Sequence, residues 1–459
     1  MDKVVDKVAS ELIMSDKEQV VGILYDVDVD GLFSGYIIED YLTRRGIKTE
    51  RFMNKKKKHG LVEESMEWAK ENKFDWLFIV DAGSGDGHYI RELTDNIGTR
   101  VVVLDHHPYE ETETLDSTKS WILNVKDKDE LPALSGCGVV YRFVEKLGNL
   151  FEDLTGQYQK FVGITVLSDM CNMSELENRY YVKRAYEEYR GNYFLQQFPF
   201  YGSGRSFYSF GVVPYLNACI RVGEEDHAMD FVNSMNKRSK MNSIERDRRR
   251  VLEKQKRMEK ELRENSVLIE LPHIILLLRK GKKELRPVGG LVANKLISEY
   301  QRPALVLHRE DNMWVGSFRG NYFSRDTLEN YGFKTMGHDK ACGVEVSNKK
   351  LNEFRKTFKY EGKKEQEKAT LSVDIDRLKE HTWKEIAEFN EFSGVGMPPI
   401  TVRIKKGIAG ATHIEEVGEK KREIIFPNHI VTDFTGKHGE KELIVEPILR
   451  KTTYQLIRN

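Results

Sequence analysis

Three short apolar runs punctuate the first quarter of the chain: Val20 to Tyr25 (VVGILY), Leu77 to Asp81 (LFIVD) and Val101 to Asp105 (VVVLD). Each is rich in β-branched and aliphatic residues and each leads into acidic residues, while helical periodicity fills the intervals. Strands alternating with helices predict a parallel α/β sheet. In such sheets ligands sit beyond the carboxyl ends of the strands, which is where Asp26, Asp28, Asp30, Asp81 and Asp105 to His107 all fall.

Farther along, residues 242–265 form a charged helical pattern with Val251, Leu252, Met258 and Leu262 on one stripe, which predicts a helix linking two lobes. Beyond it, VLIELPHIILLL, a Gly289-Gly290 turn into LVANKLISEY, and PALVLHRE predict a second α/β unit. A lysine-rich link near Lys363 to Lys368 precedes a region of β-type runs such as ITVRI and REIIF, read as a small barrel. No internal repeat is evident.

Composition narrows the class. A chain of 459 residues with 39% hydrophobic content can hold two to four domains. No run approaches the roughly 18–20 apolar residues that span a bilayer, and the amphipathic N-terminus lacks a signal-peptide core, so a cytoplasmic protein without membrane association is expected. Four scattered cysteines without CxxC spacing indicate neither a disulfide framework nor a thiolate zinc site. Any metal must be held by oxygen and nitrogen. The 73 basic and 73 acidic residues cancel, so evidence for a polyanionic partner has to come from local runs. Two stand out: Lys55-Lys56-Lys57-Lys58-His59, and Arg246 to Arg263 with nine Lys/Arg against four Asp/Glu. Such runs taken alone are most often solvated surface.

The chemistry concentrates after the strands. Asp26, Asp28 and Asp30 alternate in one loop, where their mutual repulsion calls for a cation, and hard oxygen ligands suit Mg²⁺ or Mn²⁺. The second strand ends at Asp81, the third at Asp105-His106-His107, and a further apolar run, GITVLSDM, closes at Asp169. Carboxylates on four such ends plus a His pair are what a two-metal phosphoryl-transfer site requires.

These residues resemble, in order, the four motifs of the DHH phosphoesterases: Asp28-Val-Asp30-Gly31 with Ser34, Asp81, Asp105-His106-His107, and Asp169. Asp26 completes the DxDxDG form of RecJ-like nucleases. His59-Gly60-Leu61 resembles their GYGL, Ser135 to Val139 their AGVGV, Glu177-Asn178-Arg179 their GENR, and Phe210 to Arg221, with Asn217, their GPRLNAAGR. Similar matches continue through Gly289 to Leu307, Gly316-Ser317-Phe318-Arg319 (GSGR), Met336-Gly337-His338 to Gly343 (GGHxxAAG) and Phe392 to Pro398 (FGxGNP). Leu24 stands where the family has a histidine, with Asp26 as the candidate replacement.

The resemblance implies a DHH domain at 1–225, a connecting helix at 226–265, a DHH-associated domain at 266–362 and an OB-like β-barrel at 363–459. It implies two divalent ions, Mn²⁺ or Mg²⁺, with Asp81 bridging, Asp30, His106 and Asp169 completing one shell, and Asp28 with Asp26 in the other. His107, with Asp105, acts in catalysis. Substrate contacts fall to Arg319, His338, Gly337, Ser34, Asn217, Arg221 and, for a 5′-phosphate, Lys55, Lys56, Lys57 and Lys58. The implied activity is 5′-to-3′ exonucleolytic hydrolysis of single-stranded DNA in repair, recombination or replication, with single-strand-binding or helicase proteins as candidate partners. The alternatives are a DHH phosphodiesterase on short oligonucleotides or cyclic dinucleotides, and a non-catalytic replication scaffold.

Overall fold

The computed structural model describes residues 1–459 except 16, 55–58, 110–114, 116–117, 126–133, 201–203, 238–243, 282, 321, 361–370, 374–378, 406, 419–420, 427–428, 434–442, 451–452 and 459. After helix α1 (Asp2–Val8), strands β1 (Val20–Tyr25), β2 (Lys48–Met53), β3 (Trp76–Val80), β4 (Arg100–Asp105) and β5 (Ser120–Asn124) form a fully parallel sheet in the order β2-β1-β3-β4-β5. Strands β1, β3 and β4 are buried almost throughout, as continuous apolar runs demand. Helices α2 (Val29–Arg44), α3 (Glu63–Asn72), α4 (Gly87–Glu92) and α5 (Gly136–Leu150) connect or cover them. The chain reverses its lateral direction between β1 and β3, the switch point where ligands bind in open α/β sheets.

Register brings the acids level. Tyr25 pairs with Val80 and Val80 with Leu104, so the next residues, Asp26, Asp81 and Asp105, emerge side by side from three adjacent strands. Asp169, expected to end a strand, instead ends helix α6 (Gln159–Ser168), its N–H bonded to Thr165 O at 2.8 Å. Gln159 to Ser168 reads as a strand because it is apolar nearly all round. A helix buried on every side looks the same.

The expected connecting helix at 226–265 is divided. A helix at Glu225–Lys237 packs Phe231, Val232 and Met235 into the first domain's core, and the link proper is Ile244–Glu264. One stripe of this second helix serves both lobes: Val251 joins the core of the first, Leu262 that of the second, and buried Gln255 and Glu259 lie between them. The second lobe has strands β6 (Val267–Leu271), β7 (Ile274–Lys280), β8 (Ala304–Glu310), β9 (Met313–Arg319), β10 (Lys334–His338) and β11 (Ala341–Ser347) in the order β10-β11-β9-β8-β7-β6, with β7 and β8 parallel through the crossover helix Gly289–Tyr300. The third region is a mixed sheet of strands β12 (Leu371–Val373), β13 (Val402–Ile404), β14 (His413–Gly418), β15 (Lys421–Ile425), β16 (Ile430–Asp433), β17 (Leu443–Arg450) and β18 (Thr453–Arg458) in the order β12-β13-β17-β18-β16-β15-β14, with helix Glu380–Asn390 packed against it. Its core includes Trp383, Val402, Ile404 and Leu443, beside a buried Arg422–Asp433 ion pair at 2.6 Å. The lysine-rich link at 363–368 lies outside the described residues.

Leu24 is 1% exposed and packs with Leu61, Met66, Phe74, Leu77 and Ile79 on the α3 side of the sheet. It is a core residue. Leu24→Ala is expected to cost about 2–5 kcal/mol in urea unfolding, and Leu24→His to destabilise as well by burying an imidazole in this apolar layer. A histidine variant as stable as wild type would contradict this packing.

Candidate metal centre and interlobe cleft

The centre is built on Asp81. Its φ of 60° places a non-glycine residue in the left-handed region, a strain that persists where the surroundings over-determine it. It is 1% exposed, and neither carboxylate oxygen has a hydrogen-bond partner among the described residues. A Cβ of ideal geometry on Gly136 would lie 2.2 Å from Asp81 Oδ1, so that glycine admits the carboxylate.

Three groups of donors each have ligand atoms within 4.8 Å of one another among the described residues: Asp26, Asp28 and Asp81; Asp81, His106 and His107; and Asp30, His106 and Asp169, so that Asp81 belongs to two of them. The sets touch through His106, whose Nε2 is 3.3 Å from Asp81 Oδ1, 3.7 Å from Asp169 Oδ2 and 3.8 Å from Asp30 Oδ2. Asp30 is further held at the N-terminus of α5, accepting from Gly136 N at 2.7 Å and Cys137 N at 2.9 Å, where the helix dipole favours an anion. Asp28 caps α2 through Gly31 N at 3.0 Å.

Burial, and then the neighbouring carboxylates, push Asp28 up to about 6 and raise Asp30 and Asp81 well above the usual carboxylate range. Buried acids that repel one another and leave oxygens unbonded fit a divalent cation or a pair of them. The mixture of carboxylate and imidazole suits Mn²⁺ or Mg²⁺.

Asp105 plays a different part. Its Oδ1 accepts from His106 N at 2.7 Å, His107 N at 3.1 Å and His107 Nδ1 at 2.9 Å, and its Oδ2 accepts from Ser84 N at 3.1 Å. Burial works against its ionisation, but the bonds from His107 and Ser84 hold its pKa at about 2. Burial likewise opposes the His107 cation, and the Asp105 bond outweighs it, lifting the imidazole to about 9. With Nδ1 bonded to Asp105, His107 turns Nε2 away from that carboxylate.

His59, noted in the sequence only within its motif, takes a specific position: Nδ1 lies 2.7 Å from the Asp26 carboxylate, whose charge raises the imidazole's pKa. An imidazole thus stands beside the donor set that Leu24 leaves without one. Nothing in the local pattern marks this contact, because it joins a loop after β2 to the end of β1.

Across the cleft, Arg221, ending helix Val213–Arg221, faces Arg319 on β9 (Met313–Arg319) of the second lobe. Burial first, then the positive charge of Arg319, lowers Arg221 to about 10, against the pull of Glu259 and Asp28. Arg221 Nη1 donates to Gln255 Oε1 at 3.4 Å, and Asn217 lies one turn earlier on the same face, half-buried. Two partly desolvated guanidiniums thus stand near each other where the lobes meet.

In the second lobe, Ala341 pairs with both Arg319 and His338, placing those positions at one end of the sheet. Gly337 there has φ 117° and is exposed, and the His338 side chain lies outside the described residues. Ser34 departs from expectation. It is fully buried in α2, out of reach of a solvent-borne substrate, because α2 is covered on almost every side. Lys55, Lys56, Lys57 and Lys58 lie outside the described residues, although His59 beside them reaches Asp26.

Comparison with known proteins agrees with this geometry. A model described as the DHH family, N-terminal domain, matches residues 20–165. A Bacillus subtilis (strain 168) protein named "Putative SPbeta prophage-derived single-strand DNA-specific exonuclease YorK" is 26% identical over 96% of this chain and 82% of its own length. RecJ of the same organism, named as single-stranded-DNA-specific, is 22% identical over 77% of this chain and 47% of its own. Among solved structures, RecJ of Thermus thermophilus in complex with Mn²⁺ matches with a TM-score of 0.70 at 17% identity, over 99% of this chain and 70% of that one. A second, exonuclease RecJ bound to manganese, has a TM-score of 0.57 at 19% identity over 77% of this chain and 92% of that one. Residues 20–165 match the DHH family's N-terminal domain, and the chain shares its fold with the RecJ structures.

Metal should be visible in stability. Asp28, Asp30 and Asp81 have folded pKa values above the unfolded value of about 3.9, so the folded state binds more protons and stability falls as pH rises from about 4 through about 6 and beyond. Mn²⁺ at 100 times its Kd should return about 2.7 kcal/mol per site near pH 8 and less at pH 5, where the ligands are partly protonated. Thermal unfolding at both pH values with and without Mn²⁺ checks this; equal shifts at both would contradict it.

Proposed function

We propose that this protein is a metal-dependent exonuclease that hydrolyses single-stranded DNA from the 5′ end. The observation that carries the reading is Asp81: a buried carboxylate without hydrogen-bond partners among the described residues, shared between two donor sets at the switch point of a parallel sheet. The YorK and RecJ relatives named for single-strand DNA support the substrate, and RecJ structures holding Mn²⁺ or Mg²⁺ support the cofactor.

Asp30, His106 and Asp169 are assigned to one ion, Asp26 and Asp28 to the other, with Asp81 between them. When bound, two divalent ions activate water and offset charge on the attacking and leaving oxygens. Asp105 holds the His107 ring with Nδ1 as donor, so protonated Nε2 can donate to a phosphate oxygen or to the departing 3′ oxygen. Arg221 and Arg319 grip the phosphate from opposite lobes. Gly337 lets backbone approach, and His338 and Asn217 add contacts. The strand is assigned to the groove between the lobes, where Tyr189 and Phe200 offer stacking surfaces and Arg248, Lys256 and Lys295 offer charge. Lys55 to Lys58, leading into His59 at the centre, are assigned the terminal phosphate. The third domain, read as an OB-like module, favours a polymer over a dinucleotide.

End-labelled single- and double-stranded DNA, digested with Mn²⁺, tests polarity and strand preference. Equal release from both labelled ends would overturn the 5′ assignment. Asp81→Ala should lower turnover by about 10³-fold or more, the several kcal/mol that metal chemistry supplies, while unfolding stability holds or rises as repulsion is relieved.

Arg221→Ala and Arg319→Ala should each weaken activity by roughly 10- to 150-fold, the worth of a charge-assisted hydrogen bond, on 5′-phosphoryl and 5′-hydroxyl strands alike. Replacing Lys55 to Lys58 with alanine should selectively weaken 5′-phosphoryl binding and flatten the salt dependence by about 0.7 per lost contact. Equal loss on both substrates would leave the lysines only a general electrostatic role.

A further inference from the structure

Two segments that resemble family motifs but have no part in the chemistry above meet in the structure. One is Glu177-Asn178-Arg179, opening helix Leu176–Gly191; the other is the Gly394–Met397 turn of the third domain. Between the end of α6 and Leu176 runs the loop that carries Asp169. Within the loop's own end of the fold, Cys171 N bonds to Val166 O at 3.0 Å, after Met170 turns through a left-handed φ of 54°.

Its centre is held from outside. Met173, 2% exposed, donates its N–H to Val395 O of the third domain at 2.7 Å. Arg179 Nη1 donates to Met173 O at 2.5 Å and Ser174 O at 2.9 Å and reaches Met397 Sδ at 3.8 Å, so one guanidinium ties loop and turn together.

The turn is shaped for this contact. Gly394 and Met397 exchange backbone hydrogen bonds at 2.8 and 3.1 Å, and Gly396 has φ 73° at the second central position, the pattern of a type II turn. An ideal Cβ on Gly396 would lie 1.9 Å from Asn172 Oδ1, the atom that accepts from Ser174 N and Ser174 Oγ and so folds the loop. Any side chain at 396 would push that loop.

We propose that the Gly394–Met397 turn and Arg179 are positioning elements for Asp169, through which the third domain sets the affinity of the Asp30–His106–Asp169 group for a divalent cation. The proposal rests on the metal assignment of Asp169 made above. The third domain is then a structural part of the metal centre as well as a module for nucleic acid. A second set of contacts lies farther along the same interface: Tyr186 Oη donates to Glu391 O at 2.7 Å, the Arg205 backbone N–H donates to Glu391 Oε2 at 2.8 Å, and Arg205 Nη1 donates to Ser393 Oγ at 2.7 Å. These dock the domain without touching the Asp169 loop, and they supply the comparison.

The test is Mn²⁺ binding to the full-length chain, followed by loss of the free-ion electron paramagnetic resonance signal, with binding of a fluorescent single-stranded oligonucleotide in EDTA measured alongside. Gly396→Ala and Arg179→Met should weaken one Mn²⁺ site by about 10-fold or more, the usual cost of losing a partner that orients a ligand. Arg179→Lys should restore part of it, and oligonucleotide binding should hardly change. Arg205→Ala should leave Mn²⁺ affinity near wild type.

Unchanged Mn²⁺ affinity in folded Gly396→Ala and Arg179→Met proteins would overturn the proposal, as would an equal loss in Arg205→Ala. If Gly396→Ala fails to fold, the Arg179 pair decides alone. No Mn²⁺ binding by the wild-type chain would instead overturn the metal assignment itself.

Discussion

Like charges at close quarters govern this molecule. Asp26, Asp30, Asp81 and Asp105 are each 1–2% exposed, and two unit charges about 4 Å apart interact by roughly 4 kcal/mol at the effective dielectric of a protein surface. A fold that gathers such groups has to answer each one. Asp105 is answered by three donors on one oxygen and a fourth on the other, Asp30 by the amides that open α5, and Asp26 by His59. Asp81 alone among these acids accepts no hydrogen bond within the described residues, with His106 Nε2 standing 3.3 Å from its Oδ1, and its φ in the left-handed region is a strain the surrounding backbone sustains. The unsatisfied charge is thus localised at one carboxylate, which belongs to two neighbouring groups of candidate ligands.

That localisation follows from register. A one-residue slip of β3 against β1 or β4 would turn Asp81 to the other face of the sheet. The pairing Tyr25–Val80–Leu104 is protected because β1, β3 and β4 are buried on both faces by two separate cores, one under α2 and α5, the other under α3. Leu24 belongs to the second. Its place in the strand is next to the metal acids, yet its side chain points into that core, so the family's histidine position is here spent on packing while imidazole arrives from His59.

Much of this was legible in the sequence for physical reasons. The three β-branched runs that alternate with helical periodicity and lead into acids read as buried parallel strands, and acids at their carboxyl ends collect at one edge. What could not be read is equally specific. Asp169 ends a helix because an all-round apolar segment has no diagnostic period. Ser34 is sealed inside α2 although its motif suggested a substrate contact. Residues 225–237 belong to the first core because Phe231, Val232 and Met235 are at helical spacing, a pattern equally suited to a link. The partners of Asp30 and Asp26 are backbone amides and a loop histidine, and amides leave no trace in a sequence. The facing of Arg221 and Arg319 joins two domains, and no local pattern carries that.

The connecting helix explains how the two arginines come to face each other. Its buried stripe is apolar at Val251 and Leu262, where it is sunk into the first and second lobes, and polar at Gln255 and Glu259 between them. Gln255 donates to Glu259 at 3.1 Å and accepts from Arg221, while Glu259 pairs with Lys295 of the second lobe. A wholly apolar stripe would draw the lobes together over this stretch and close the cleft. A wholly polar one would leave them hinged without a fixed distance. Anchored at both ends and polar between, the helix sets a gap whose walls present one guanidinium each, and the distance between them is therefore a property of the helix rather than of either domain.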